Sequence, residues 1–133
     1  MGLALDTSAL IDVLRGDEKA LRATDQLEGE GSLLVLSTVA VFEILSGVGY
    51  TRSRLERSRL ETLLSRFRID PFDQDSARRA AELRAELQRE GRSPGAPDVM
   101  IAGQALAGRH TLVTRDRVLA SVAAASGLKV VIY

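Results

Sequence analysis

Leu3-Ala4-Leu5-Asp6-Thr7-Ser8-Ala9-Leu10-Ile11-Asp12 opens on three apolar residues, breaks on an acid and two hydroxyls, and resumes with apolar residues at helical spacing as far as Leu14. A short apolar run predicts a buried strand, and a polar cap ahead of a helical pattern predicts a helix start. The stretch therefore reads strand, cap, helix, with Asp6 at the strand's carboxyl end. The same grammar recurs at Leu33-Leu34-Val35-Leu36, where Ser37-Thr38 cap a helix from 39 to 47 or 49 and glycines supply the stop. It returns as a strand over 111–114, a helix over 117–126 and a last strand over 128–132. Between these, Leu60, Leu63, Leu64 and Phe67 form one helical stripe within 52–67, and Arg52, Arg59 and Arg66, seven apart, run beside it. Residues 68–72 hold a short strand that Pro71 confines to an edge. Residues 75–90 carry Ala77, Ala80, Leu83 and Leu87 on one helical face, and the Pro/Gly-rich loop 91–97 leads into a helix over 98–106 closed by Gly108.

Short apolar strands alternating with helices imply an α/β chain: a three-layer α/β/α sandwich around a central, mainly parallel sheet, its strands buried on both faces by right-handed crossovers. With 133 residues, 45% of them apolar, and neither a repeat nor a long linker, residues 1–133 read as one domain. The chain has no cysteine, which excludes disulfides, thiolate zinc sites, iron–sulfur clusters and a Cys nucleophile, and a reducing compartment is the expectation. One histidine, His110, cannot furnish a His-rich metal site; at a helix–strand junction it reads as a loop residue. No apolar run approaches the roughly 18 residues of a membrane span, and the first residues lack the basic start and long apolar stretch of a signal peptide, so the expected location is cytoplasmic.

Eighteen basic residues balance eighteen acidic ones, yet sixteen of the cations are Arg. Six of them (Arg52, Arg54, Arg57, Arg59, Arg66, Arg68) share a stretch that has only Glu56 and Glu61 against them. A guanidinium is a planar fork of donors matched to phosphate, so the bias is compatible with a nucleic-acid partner, although a GC-rich genome also favours Arg.

In parallel α/β sheets, sites form outside the carboxyl ends of the strands. Asp6 directly follows the first strand and Asp116 follows the 111–114 strand, so both stand on one edge. Asp98 opens a helix, where the macrodipole favours the ionised form. Glu43 lies inside Val39-Ala40-Val41-Phe42-Glu43-Ile44-Leu45, where a buried carboxylate must reach solvent or meet a cation. Each acid alone has an ordinary reading: a cap at Asp6, dipole compensation at Asp98, a solvated loop charge at Asp116, an exposed helical position at Glu43. Together they invite another. Carboxylates about 5 Å apart repel by roughly 3 kcal/mol per pair at an effective dielectric near 20, a cost that divalent cations remove. Oxygen ligands without thiolates or imidazoles select a hard ion, Mg²⁺ or Mn²⁺.

The order and contexts of these acids, Leu5-Asp6-Thr7-Ser8-Ala9-Leu10-Ile11-Asp12, Val41-Phe42-Glu43-Ile44-Leu45-Ser46-Gly47, Asp98-Val99-Met100-Ile101-Ala102-Gly103-Gln104-Ala105 and Leu112-Val113-Thr114-Arg115-Asp116, resemble the PIN-domain ribonucleases, and within them the VapC-type toxins of prokaryotic toxin–antitoxin pairs. The resemblance implies that Asp6, Glu43, Asp98 and Asp116 hold one or two Mg²⁺ or Mn²⁺ ions, with Thr7, Ser8 and Thr114 as supporting hydroxyls. It implies metal-assisted hydrolysis of RNA phosphodiesters, a homodimer, and a cognate antitoxin protein. Arg15, Arg52, Arg59, Arg66, Arg115 and Arg117 are the candidate RNA contacts, since carboxylates cannot themselves bind a polyanion. The chain departs from many relatives at Val118-Leu119-Ala120, where a further acid followed by Phe is common, which leaves a second ion open.

Other classes fit less well. A phospho-accepting receiver wants paired acids at the first strand, and Asp6 is followed by Thr7-Ser8; a haloacid-dehalogenase-like phosphatase wants an acid at position 8. No Gly-x-x-x-x-Gly-Lys-Ser/Thr is present for a P-loop NTPase. The remaining alternative is a catalytically inactive PIN-fold RNA-binding or assembly module.

Overall fold

The computed structural model describes residues 2–49 and 53–133. Its elements run β1 (Gly2–Leu5), α1 (Thr7–Arg15), α2 (Glu18–Gly29), β2 (Leu33–Ser37), α3 (Thr38–Gly49), α4 (Arg54–Leu64), β3 (Arg68–Asp70), α5 (Gln74–Arg89), α6 (Ala96–Ala107), β4 (Thr111–Thr114), α7 (Arg117–Ala125) and β5 (Lys129–Ile132). The five strands form one sheet in the order β3-β2-β1-β4-β5, and every neighbouring pair is parallel.

That order decides where a site can form. From β1 the chain steps outward to β2 and β3, then returns across the sheet to β4 and continues to β5. Right-handed crossovers in opposite directions put the first helices on one face and the later ones on the other. Accordingly α1 packs with α2, α3 and α4, whereas α5 packs with α6 and α7. The direction reverses between β1 and β4, the switch point at which open α/β sheets leave a crevice outside the strand ends.

The strands are apolar because both faces are covered: Leu3, Leu5, Leu36, Leu112 and Val113 are almost wholly buried. Strand β3 is the edge that Pro71 foretold, and its Ile69 is exposed. One helical expectation is corrected, and one helix was not expected. The helix expected over 52–67 starts, within the described residues, at Arg54 and stops at Leu64, so Phe67 enters the core from the turn behind it while Leu60 and Leu63 pack from the helix. Helix α2 was not among the expected helices; it buries Ala20 and Thr24 and packs Leu21 and Leu27 partly against the core. Its signal was at the cap: the Asp17 carboxylate accepts from the Ala20 N–H, with Glu18 in the first turn.

Gly103 sets the fit of α6 against α5. A Cβ at this position would lie 2.5 Å from the Ala80 backbone nitrogen and 2.6 Å from its Cα, so the two helices meet with no room for a methyl group. Gly103→Ala should therefore push the helices apart and lower stability by about 1–3 kcal/mol in chemical denaturation. Gly47→Ala, in α3, where a Cβ meets nothing within 4 Å, should leave stability unchanged or raise it by up to about 1 kcal/mol.

Candidate functional site

Strand register brings the first two acids together. Leu5 pairs with Val113, and the Asp6 N–H continues the ladder by donating to the Val113 carbonyl at 3.2 Å. Asp6 and Thr114 consequently lie side by side at the carboxyl ends of β1 and β4. The Thr114 hydroxyl donates to Asp6 Oδ2 at 2.5 Å and accepts from the Asp116 N–H at 3.0 Å, so one buried hydroxyl orients one acid and the loop that carries another. Asp6 Oδ1 caps α1 through the Ala9 N–H at 2.8 Å, and Asp116 Oδ1 caps α7 through the N–H groups of Val118 and Leu119, both at 3.0 Å. The ordinary reading holds for both residues: each caps the helix that follows it.

Glu43 reaches the same edge from α3. It is half-buried, and its Oε1 accepts from the Thr7 hydroxyl at 2.5 Å, which ties α3 to the first turn of α1. A hydroxyl, together with partial exposure, supplies what the sequence required of a solvent route or a cation. Ser8, the second residue of α1, is half-buried beside Thr7. Asp98 sits in the first turn of α6 behind Gly95, with Pro97 setting the helix start.

Two of the carboxylates, Asp98 and Asp6, feel the charge of neighbouring acids. Asp98 is pushed above the ordinary carboxylate range first by burial and then by Glu43, Asp6 and Asp116, so desolvation and three neighbouring acids outweigh the helix dipole expected to keep it ionised. Asp6 is also raised, chiefly by burial and further by Asp116; its bonds from Thr114 and Ala9, and the charge of Arg115, oppose the rise. None of the four pairs with an Arg or Lys among the described residues, in a chain with sixteen arginines. As they lie, no three acids among the described residues are close enough together to form a ready metal cage. The donor set nonetheless fits a hard divalent cation. It consists of oxygens, Asp98 accepts no hydrogen bond from the described residues, and Asp6, Glu43 and Asp116 keep carboxylate lone pairs that their hydroxyl and amide partners do not use.

The basic candidates are distributed around this edge. Arg15 ends α1 and Arg59 lies on α4, and both line a groove of about 450 Å³ whose wall includes Glu43. Arg115 stands between Thr114 and Asp116, and Arg117 is the exposed first residue of α7. Arg66 follows the end of α4 instead of extending its row and pairs with Glu28 at 2.8 Å. Arg52 lies outside the described residues. His110 lies in the connection between α6 and β4, as expected, and is buried there: its Nδ1 accepts from the Gly2 N–H at 2.9 Å, and its Nε2 is 3.3 Å from Asp70. Asp12, whose role the sequence left open, is buried against Arg115 and Tyr133. An acid at the spacing of Ala9 and Val13 on the buried face of α1 was the available sign.

Comparison with known proteins follows the same outline. The PIN domain family model matches residues 3–125. The tRNA(fMet)-specific endonuclease VapC of Shigella flexneri is 30% identical over 115 residues, covering 84% of each chain. Ribonuclease VapC2 of Rickettsia felis is 27% identical over 113 residues, again 84% of each. The crystal structure of VapBC2 from Rickettsia felis, bound to a DNA fragment from its promoter, superposes with a TM-score of 0.85 at 24% identity, covering 100% of this chain and 99% of that one, a likeness of fold.

Because Asp6 and Asp98 have raised values, they bind protons more tightly folded than unfolded, and stability falls as pH rises from the ordinary 3.8 through the raised value. Asp98→Asn should therefore raise the thermal midpoint at pH 7, and the gain should shrink to nothing below about pH 3, where the carboxyl is neutral in both states. Melting curves of both proteins across that range check it; a gain that persists at low pH would contradict the electrostatic origin.

Proposed function

This chain belongs to the PIN domain family, in its VapC branch, and from that premise we propose that it is a Mg²⁺- or Mn²⁺-dependent endoribonuclease, the toxin of a toxin–antitoxin pair. The observation that carries the reading is Asp98, in the first turn of α6, which is raised by burial and by the charges of Glu43, Asp6 and Asp116 from three other elements, with no protein cation paired to any of the four among the described residues. A structure that only capped helices would have no need to bring these charges together.

In this reading the four acids hold the cation. When bound, such an ion supplies a water acidic enough to attack phosphorus at neutral pH and neutralises charge on the phosphate oxygens. The chain's own residues prepare that site. Thr114 keeps Asp6 and the Asp116 loop in register, and Thr7 holds Glu43 toward α1. Arg115 and Arg117 at the strand ends, and Arg15 and Arg59 along the groove, meet the phosphates that flank the scissile bond. Arg66 is less available because it is engaged with Glu28. With two tyrosines and three phenylalanines in the chain and no tryptophan, stacking on single-stranded bases has few platforms, which favours recognition of RNA by shape and backbone.

A cognate antitoxin and a second copy of the chain are the proposed protein partners. Phe42 and Leu45 on α3 and Leu55 on α4 are exposed at 67%, 41% and 61%, an apolar face that a lone chain would leave in water. The pairing of toxin and antitoxin in the VapBC structures that share this fold supports the first of these. Among the described residues, no helix is long and apolar enough to cross a membrane.

The purified chain, freed of any antitoxin, should cut a pool of structured RNAs in Mg²⁺ or Mn²⁺ and be silent in EDTA. Asp98→Asn should lower cleavage by at least about 100-fold while remaining folded. Intact RNA in every lane, with no Mn²⁺ binding by the folded chain, would leave the inactive RNA-binding or assembly module as the reading.

A further inference from the structure

Asp12 is a buried acid that the nuclease reading does not use. Its side chain is 12% exposed, and the bonds it makes go to two residues far along the chain. Arg115 Nη1 approaches Asp12 Oδ2 at 3.2 Å and Oδ1 at 3.4 Å, and the Tyr133 hydroxyl donates to Oδ2 at 2.7 Å. Burial and the facing carboxylate hold the Tyr133 phenol well above its ordinary value, so it stays a donor. Three elements meet here: α1, the turn between β4 and α7, and the residue after β5.

The position of Arg115 gives the cluster its significance. Its chain neighbours Thr114 and Asp116 both belong to the acidic crevice, and its charge is near enough to act on Asp6. A guanidinium so placed has every reason to fold onto the carboxylates as a bidentate partner. It pairs instead with Asp12, and its side chain remains 59% exposed. An isolated surface pair of this kind would be worth little. Here one partner is buried and receives a second donor, so the arginine has a fixed anchor while most of its five donors stay available.

We propose that Asp12 and Tyr133 are positioning residues for Arg115, holding its guanidinium off the four acids and presenting it to a phosphate of the bound RNA. The arrangement has two consequences for one site: the acids stay open to a cation, and the positive charge stands beside them instead of among them. This inference rests on the nuclease reading for its substrate and on the geometry for its residues.

The test is a double-mutant cycle on cleavage of a bulk tRNA pool in Mn²⁺. Asp12→Asn and Arg115→Ala should each lower kcat/KM by about tenfold, and the double variant should lose about tenfold rather than the hundredfold product, because Asp12 acts through Arg115. Tyr133→Phe should give a smaller loss that likewise vanishes in the Arg115→Ala background, and it carries the test if Asp12→Asn does not fold. Multiplicative losses, or full activity in folded Asp12→Asn and Tyr133→Phe, would overturn the proposal. Binding of labelled tRNA is read separately in an Asp98→Asn background, where cleavage is suppressed. Arg115→Ala should reduce the salt slope of log Kd by about one, and Asp12→Asn should reduce it in the same direction. Unchanged slopes would overturn the positioning role. Should the wild-type chain fail to cut any RNA while the slopes still move, the nuclease reading fails and the positioning of Arg115 stands.

Discussion

The parallel pairing of β1 with β4 is the constraint from which the site follows. These strands are remote in sequence, Asp6 and Thr114 being 108 positions apart, yet their register sets the two side by side and leaves the Asp6 N–H bonded to the Val113 carbonyl. The strand order reverses at this pair, so no crossover helix covers its carboxyl end. A slip of one residue would exchange the faces into which one strand's side chains pack and would separate Thr114 from Asp6. The apolar burial that holds the sheet together is therefore also what aims the polar residues beyond it.

Around that pair, the helices are tied to the site at their ends. Asp6 and Asp116 each cap a helix with one carboxylate oxygen, and Asp98 lies in the first turn of α6. Helix N-termini favour negative charge, which offsets part of the cost of gathering acids where burial has reduced their hydration. The offset is incomplete, as the raised values of Asp6 and Asp98 record. The close approach of α5 and α6 at Gly103 holds α6, and with it Asp98, against the later helices. Packing on one face of the sheet and electrostatics at its edge are thus joined through a single helix.

The elements that carry the four proposed acids were legible because each acid stands next to a strong local signal: an apolar strand before Asp6 and Asp116, a Pro/Gly loop before Asp98, an apolar helix around Glu43. Their order and contexts carried the family resemblance. Helix α2 was not anticipated; its apolar face is weak, since it fully buries only the small Ala20 and Thr24 and packs Leu21 and Leu27 against the core only in part. The extent of α4 was misread for the opposite reason. Phe67 continues the stripe in sequence while packing from a turn, and periodicity cannot tell a helical residue from one that reaches the same core by another path. The row of Arg52, Arg59 and Arg66 depended on that helix continuing, and Arg66 instead meets Glu28 on α2, the helix that was not anticipated.

The sequence by itself determined the alternation of strand and helix, the parallel sheet, and the placement of Asp6 and Asp116 just beyond the ends of β1 and β4, because these depend on local runs, caps and the handedness of short connections. Which side chains share a bond was decided by tertiary structure. The Thr114 hydroxyl on Asp6, Thr7 on Glu43, and Asp12 between Arg115 and Tyr133 join residues 36 to 121 positions apart. Such pairings depend on register and on the angle at which helices cross the sheet. A buried carboxylate among apolar neighbours states in sequence that it needs a partner, and only the folded chain, where distance is measured through space, names which one.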